Sequence, residues 1–170
     1  MSMIRSLRRG PDIGPAAILP GRVFGAVDLR HCCLEHGCFI GSNFCGADLR
    51  DVIAANATFI RASFLYARCG GTHFDDCTMC EAHLSQANGP GAVFAGADLQ
   101  KARLWRAHLP RADFRGADLR DVDLRFANLP HADLRDADLR GADFRNANLR
   151  DAALAGARRD GANFDGASFR

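Results

Sequence analysis

The sequence has no long apolar run, although 48% of its 170 residues are hydrophobic. A transmembrane helix needs about 18 consecutive apolar residues, so the sequence excludes one. The first residues, MSMIRSLRRGPDIGPAAILPG, have the basic start of a signal peptide, but glycine and proline interrupt the apolar stretch that such a peptide requires. We therefore expect residues 1–20 to be structural and the protein to have no membrane partner.

The sequence also has almost no excess of positive over negative charge. Lysine and arginine total 22 against 20 aspartates and glutamates. Residues 1–20 carry three arginines and one aspartate, which leaves 19 basic and 19 acidic residues in the rest of the chain. A balanced surface attracts nucleic acid and anionic membranes only weakly at long range. We expect no direct binding to nucleic acid.

Catalytic signatures are missing too. The sequence contains no nucleophile elbow and no phosphate-binding loop, because the glycine-rich stretch GPGAVFAG (89–96) does not join a strand to a helix. We predict a protein that is not an enzyme, with no catalytic residues, no metal and no cofactor. The six histidines are scattered along the chain: His31, His36, His73, His83, His108 and His131.

The sequence does contain an unbroken five-residue repeat. Counted from Phe24 to Phe169, it gives 30 quintets over residues 21–170, with Leu or Phe at the centre of 25 of them. Alanine lies two residues before the centre in 21 quintets. A fixed period over so long a span indicates a solenoid. The five exceptions at the centre are Ala54, Cys69, Met79, Gly89 and Arg159.

A period of five fits neither a helix nor a flat strand. In a helix a five-residue step rotates by about 140°, so the leucines would point in all directions. In a strand an odd step sends alternate leucines to opposite sides. Both problems disappear if the backbone turns a corner once per quintet. Four quintets would then make a square coil of 20 residues, and counting alone does not decide between four quintets and three.

The phrase A-[DN]-[LF]-x-x resembles the pentapeptide-repeat family, as in GADLR (46–50), RADFR (111–115) and NANLR (146–150). The resemblance covers residues 21–170. It implies an all-β fold, a right-handed quadrilateral parallel β-helix of about 7.5 coils of 20 residues each. The best-known members of this family protect DNA gyrase from quinolones through a rod that mimics duplex DNA.

Residues 20 apart would stack in such a fold, and the inward columns predict the core. One column has small side chains in its middle, which predicts a local bulge or a softer spot. It consists of Leu29, Leu49, Cys69, Gly89 and Leu109. The predicted structural core comprises Phe24, Phe44, Phe64, Phe74, Phe94, Phe114, Leu134, Leu139 and Phe144.

A β-helix leaves an unpaired edge at each end, which invites aggregation unless it is covered. We predict two parts, a capping segment (1–20) and the β-helix (21–170). The apolar residues expected to cover the first coil are Ile4, Leu7, Ile13, Ile18 and Leu19. After Phe164 and Phe169 the sequence shows no helical cap, so we expect a homodimer through this C-terminal coil.

Seven cysteines lie between Cys32 and Cys80, an odd number without a secretory signal, which favours reduced thiols in a cytoplasm. The stretch HCCLEHGC (31–38) is the densest group of metal-type ligands. In the repeat frame a corner separates Cys33 from Cys38, so a shared tetrahedral shell is hard to form. We interpret the cysteines as fillers of small-residue slots, with metal binding as the alternative.

Large apolar residues in outward positions are the candidate partner site, because apolar surface strips mark interaction sites. The alternative is that they pack against the N-terminal segment. The candidates are Ile40, Ile60, Leu65, Tyr66, Trp105 and Phe126.

The charges decide between two functions. In residues 111–150 aspartate precedes the centre six times and arginine follows it seven times, which predicts a self-neutralising surface. A DNA mimic would need about one negative charge per 1.7 Å. We therefore predict a non-catalytic solenoid that acts as a protein-binding or assembly module. The alternative is a topoisomerase-binding factor that mimics DNA and confers resistance to quinolones or other gyrase inhibitors.

Overall fold

The computed structural model of the protein describes residues 13–30 and 32–170, and each quintet there has nearly the same conformation. The residue before the centre forms a single parallel β-bridge, and the two residues after the centre form a turn. The described part of the chain contains no helix and no strand longer than this one residue, because consecutive turns leave room for only one bridging residue between them. It also contains no helix with the length and hydrophobicity that crossing a bilayer requires.

The bridges fix the size of the coil. Each one joins two residues that are 20 positions apart, from Ile18–Cys38 to Asn148–Ser168. One coil therefore takes four quintets, and the arrangement with three quintets does not occur in the described residues. Each coil has four faces and four corners, and residues 20 apart stack in columns parallel to the rod.

Backbone hydrogen bonds hold neighbouring coils together on both sides. The N–H of the central Phe64 donates to the carbonyl of His83 in the next coil, with N and O 2.7 Å apart. The N–H of Ser63 donates to Ser42 of the preceding coil over 2.9 Å, and the N–H of Ala67 closes the turn on the carbonyl of Phe64. Because this pattern recurs in quintet after quintet, the register of the whole rod is fixed by parallel pairing.

The turns explain which residues occupy the corners. The second turn residue has a positive φ in all 30 quintets where it is described, and 11 of these residues are glycine. A positive φ at this position is the mark of a type II turn, in which proline suits the first turn position. Prolines occupy that position at Pro15, Pro20, Pro90, Pro110 and Pro130.

The core is a set of stacked side chains along the axis. All nine residues predicted for it are buried, the most exposed being Phe24 at 7%. Ring centroids of Phe44 and Phe64 lie 5.0 Å apart, and those of Phe94 and Phe114 lie 4.9 Å apart. These distances match the spacing of adjacent β-strands, about 4.8 Å, so each ring contacts the ring one coil above.

The bulge expected at Gly89 is absent. The N–H of Cys69 donates to Asn88 over 2.7 Å and that of Gly89 donates to His108 over 2.8 Å, as in the other quintets. A β-carbon built on Gly89 would lie 2.9 Å from Cδ2 of Leu109. The leucine of the next coil therefore fills the space that the glycine leaves, and the ladder continues without a break.

The repeat geometry begins before the predicted boundary at residue 20. Ile18 bridges to Cys38, and the N–H of Leu19 donates to the carbonyl of Cys38 over 2.8 Å. Ile13 is buried, whereas Ile18 is 77% exposed and covers no part of the core. Residues 1–12 of the predicted capping segment, among them Ile4 and Leu7, lie outside the described residues.

We expect Phe64→Ala to destabilise the rod by about 3–5 kcal/mol, because it removes a fully buried ring from the stack. The matched control is Phe126→Ala, which deletes the same ring from a corner and should cost less than about 1 kcal/mol. Urea denaturation followed by circular dichroism measures both changes. Equal losses of stability would show that the inward column is not the main source of stability.

Candidate partner-binding surface

The aspartates and arginines of the rod pair within a single quintet. Asp and Arg flank the central residue, so both side chains point outward on the same face. In the pair Asp138–Arg140 the backbone N–H and Nε of the arginine donate to Oδ1, and Nη2 donates to Oδ2 over 2.6 Å. Eight such pairs occur in the described residues: 28/30, 48/50, 113/115, 118/120, 123/125, 133/135, 138/140 and 143/145.

These arginines stabilise the ionised carboxylates. The hydrogen bonds from Arg140 lower the pKa of Asp138 to about 2. Arginine side chains likewise lower the pKa values of five further carboxylates, Asp48, Asp113, Asp123, Asp133 and Asp143. Each of these acidic groups is thus neutralised at contact distance by its own quintet, which leaves no continuous acidic face along the eight pairs.

Three of the seven cysteines, Cys69, Cys77 and Cys80, occupy positions that make them poor nucleophiles. Burial raises the pKa of Cys69 and of Cys77 to about 12, and burial beside Asp98 raises that of Cys80 to about 11. The thiol of Cys77 fills a small-residue slot and donates to the carbonyl of Ala54 over 2.9 Å. Within residues 13–30 and 32–170 no three His, Cys, Asp or Glu side chains are placed to hold a metal ion, and His31 lies outside that part.

Four of the six predicted partner residues lie along one corner of the rod. Leu65 and Trp105 occupy the first turn position and lie in one column. Tyr66 and Phe126 occupy the second turn position and lie in the column beside it. Tyr66 is 56% exposed and Phe126 is 48% exposed. Together with Arg106 we name these residues the aromatic corner.

Two polar residues contact the rings of the aromatic corner. Nε2 of Gln86 donates to the hydroxyl of Tyr66 over 3.2 Å, one coil above it. In the next coil the guanidinium carbon of Arg106 lies 4.5 Å from the ring centroid of Trp105 and 5.7 Å from that of Phe126. These contacts are cation–π interactions, which fix the arginine between the two rings.

The other two predicted partner residues, Ile40 and Ile60, lie on the neighbouring corner. Between the corners runs the outward column of one face, which contains Asn43, Ser63 and His83. The predicted apolar strip is therefore two corner clusters separated by a polar column. The aromatic corner is the larger cluster.

The residue types at the second turn position make the aromatic corner unusual, because the left-handed backbone itself recurs at every corner of the rod. Tyr66 has a φ of 59° and Phe126 a φ of 59°, in the left-handed region. Large side chains seldom adopt this conformation, which favours glycine, asparagine and aspartate. Two aromatic residues at the second turn position strain the backbone and expose apolar surface, and neither effect stabilises the rod. The fold requires the left-handed backbone at this position but not the aromatic side chains, and this choice of residues marks the corner as a candidate site.

Sequence reasoning missed Gln86 and Arg106, which complete this corner. Their type gives no signal, since glutamine and arginine are common on any surface. Their position in the repeat does indicate them, because both lie in the same column as Tyr66 and Phe126 when the chain is counted in coils of 20 residues. The polar members of an interaction surface are found by position and not by hydrophobicity.

The repeat, the 20-residue coil and the inward stacks define a β-helical solenoid. Residues 43–80, 67–106, 97–136 and 132–170 match the model of the family described as pentapeptide repeats. The chain belongs to the pentapeptide-repeat family, whose known structures are right-handed quadrilateral β-helices. No curated protein sequence matches the chain.

Solved structures of pentapeptide-repeat proteins resemble the chain over most of its length. HetL of the cyanobacterium Nostoc, involved in the regulation of heterocyst differentiation, is 24% identical, with 97% of this chain and 93% of HetL covered and a TM-score of 0.42. QnrB1, a plasmid-mediated fluoroquinolone resistance protein, is 16% identical, with 91% and 92% covered and a TM-score of 0.48. A protein of the Arabidopsis thaliana thylakoid lumen is 29% identical over 59% of this chain and 60% of its own, with a TM-score of 0.23. These TM-scores are below 0.5, so the function of this chain has to be argued from its own residues.

We expect the Asp138–Arg140 pair to make stability depend on pH in the acid range. Because the pKa of Asp138 is depressed in the folded state, the contribution is present above the unfolded value of about 4 and disappears as the pH falls toward 2. Asp138→Asn should lower the free energy of unfolding at pH 7 by at most about 1 kcal/mol, and this difference should vanish near pH 2.

The measurement is urea denaturation of both proteins at several pH values between 7 and 2. Asp136→Asn is the control, since this exposed turn residue forms no ion pair with an arginine in the described residues. A difference between Asp138→Asn and the native protein that stays constant over the whole range would contradict the assignment.

Proposed function

We propose that the protein is a non-catalytic β-helical solenoid of about 7.5 coils that binds a protein partner or serves as an assembly element. The observation that carries this proposal is the aromatic corner. Its aromatic and arginine side chains are the types that dominate the binding energy of protein interfaces. Stacked coils hold them at fixed positions, so little conformational entropy is lost on binding.

Packing against the N-terminal segment is the competing use of these residues. The described part of that segment supports it poorly, because Ile18 and Leu19 lie on the face that leads to the corner of Ile40, one coil before Cys38 and Phe39. Tyr66, Trp105 and Phe126 lie on the next corner and two to five coils further along the rod. Because the exposed rings of Tyr66 and Phe126 lie so far from Ile18 and Leu19, they favour a partner from another molecule.

DNA gyrase remains the alternative partner that the family suggests. A DNA-mimicking rod would need an uncompensated acidic face, with on the order of twenty charges over about 36 Å. In this chain eight aspartates are instead bound to arginines of their own quintets. The pairing argues against DNA mimicry and leaves gyrase as a partner only through a different surface.

We expect a triple variant, Tyr66→Ser, Trp105→Ser and Phe126→Ser, to lose partner capture while keeping its fold. The substitutions remove the exposed rings and leave the inward columns intact. Affinity purification with the native and variant proteins measures the effect, and circular dichroism checks the fold. Purified DNA gyrase in a supercoiling assay, with and without a quinolone, tests the alternative.

The matched control is Ile53→Ser with Val93→Ser, which removes apolar side chains from the opposite face of the rod. This variant should capture the partner as the native protein does. Unchanged capture by the triple variant would refute the aromatic corner as the binding surface. No effect on supercoiling at a large molar excess would eliminate the gyrase alternative.

We also propose that the coil of residues 150–170 mediates a homodimer. Phe169 is 42% exposed and Phe164 is half-buried, with ring centroids 5.9 Å apart. The N–H groups of these two residues make no backbone hydrogen bond within the described residues. An open edge with apolar side chains favours pairing with a second edge.

Sedimentation at micromolar concentration should give twice the monomer mass of 18.4 kDa. Phe164→Ser with Phe169→Ser should shift the mass to the monomer value, because it removes both exposed rings from the edge. Phe126→Ser, which removes a ring from the aromatic corner, should leave the dimer intact. A native protein that is monomeric at this concentration contradicts the proposal.

A further inference from the structure

A basic groove lies next to the aromatic corner and has no role in the function proposed so far. It has a volume of about 460 Å³ and is lined by Arg61, Glu81, His83, Lys101 and Arg103. Arg61, Glu81 and Lys101 stack at the second turn position of one corner, and His83 and Arg103 stack on the face that separates this corner from the aromatic corner. The groove and the aromatic corner are thus parts of one side of the rod.

One coil supplies a row of positive charges across this side. Residues 99–112 contain four basic residues and no acidic residue. Lys101 lies at the corner of the groove, Arg103 on the face, and Arg106 at the aromatic corner. We name these three residues the basic row.

The acidic groups near the basic row are largely engaged elsewhere. Glu81 lies 3.8 Å from Arg61, and Asp123, which bridges to Arg103, accepts two hydrogen bonds of 2.8 Å from Arg125. Asp121 follows Lys101 in the next coil of the same corner. Within the described residues the three members of the basic row form no ion pair.

Two further contacts shape the groove. Burial and the charge of Arg103 lower the pKa of His83, so this imidazole is neutral at pH 7 and adds no charge. The rings of Trp105 and Phe126 hold the guanidinium of Arg106 in one orientation, so its planar donors are arranged before a ligand arrives.

We propose that the basic row binds the carboxylates of an acidic segment of a protein partner, while an apolar side chain of that segment packs on Trp105 and Phe126. The inference rests on the proposed function, because the same partner covers the aromatic corner. Arginine binds carboxylates in a bidentate manner, and an arginine that is already oriented loses less entropy on binding. A segment that crosses the rod meets Lys101, Arg103 and Arg106 in turn.

A nucleic-acid strand fits this surface less well. Strand binding needs phosphate contacts over a considerable length. Along the rod the column of Arg103 continues with Asp123 and Asp143, both bound to arginines, so the uncompensated positive charge is confined to one coil. The N-terminal segment does not suit the row either, because residues 1–20 carry three arginines and one aspartate.

The test uses the full chain and three labelled probes in fluorescence anisotropy. The first is a short peptide in which Glu alternates with Leu and Phe, the second has Gln in place of every Glu, and the third is an oligothymidine. We expect the first probe to bind best, and its affinity to fall several-fold when the salt rises from about 50 mM to about 300 mM.

Lys101→Glu with Arg103→Glu should weaken binding of the acidic peptide at least about tenfold, and the milder Lys101→Gln with Arg103→Gln should weaken it less. Arg111→Glu with Arg50→Glu is the matched control, since it changes the net charge equally at the corner diagonally opposite the groove and away from the coil of residues 150–170. The control should bind the acidic peptide nearly as the native protein does. Circular dichroism verifies the fold of each variant.

Several outcomes overturn the inference. They are equal binding of the Gln peptide and the Glu peptide, tighter binding of oligothymidine, and no binding of any probe. If the Gln peptide binds equally and the Tyr66, Trp105 and Phe126 triple variant loses it, the proposed function stands and only the acidic specificity fails. If the triple variant binds the acidic peptide like the native protein while the charge-reversal variant does not, the aromatic corner fails and the basic row remains.

Discussion

The fold depends on one constraint, a corner in the backbone after every fifth residue. The corner requires a left-handed second turn residue, and every described residue at that position adopts it. Between corners there is room for one inward side chain, one small inward residue and one outward bridging residue. The backbone hydrogen bonds between coils then place residues 20 apart on top of one another. The core, the charge pattern and the candidate surface all follow from this stacking.

The same constraint explains why a charge-dense rod is neutral at short range. The residues on either side of a central leucine point outward together, so an Asp and an Arg in those positions meet within hydrogen-bonding distance. Pairing of this kind adds little stability on an exposed surface. It does remove the repulsion that a column of aspartates at strand spacing would produce, as in Asp98, Asp118 and Asp138. The rod can therefore be long and charged without becoming a polyanion.

The fold was largely predictable from the sequence, because a strict period leaves few geometries that bury every leucine on one side. The inward columns from Phe24 to Phe144 follow directly from counting. Of the two alternatives predicted for the column of Gly89, the bulge was wrong, because counting does not show that Leu109 reaches into the space of a missing side chain. The softer spot stays a prediction. The aromatic residues of the candidate surface were visible in the sequence. Gln86 and Arg106 were not, because their role comes from the column they share with Tyr66 and Phe126 and not from their chemistry.

The position of the candidate surface follows from the roles that the other side chains have in the solenoid. Inward positions are committed to stacking, and the bridging positions of the second half are mostly committed to Asp–Arg pairs. The second turn position of each corner is free of both demands, but it requires a left-handed conformation that suits glycine better than tyrosine or phenylalanine. A large ring at a corner therefore weakens the rod slightly without filling its core. Tyr66 and Phe126 both occupy this position in one column, and Arg106 lies over the ring of Trp105 and near that of Phe126. Because neither exposed ring fills the core, the proposed binding function accounts for these side chains better than folding does.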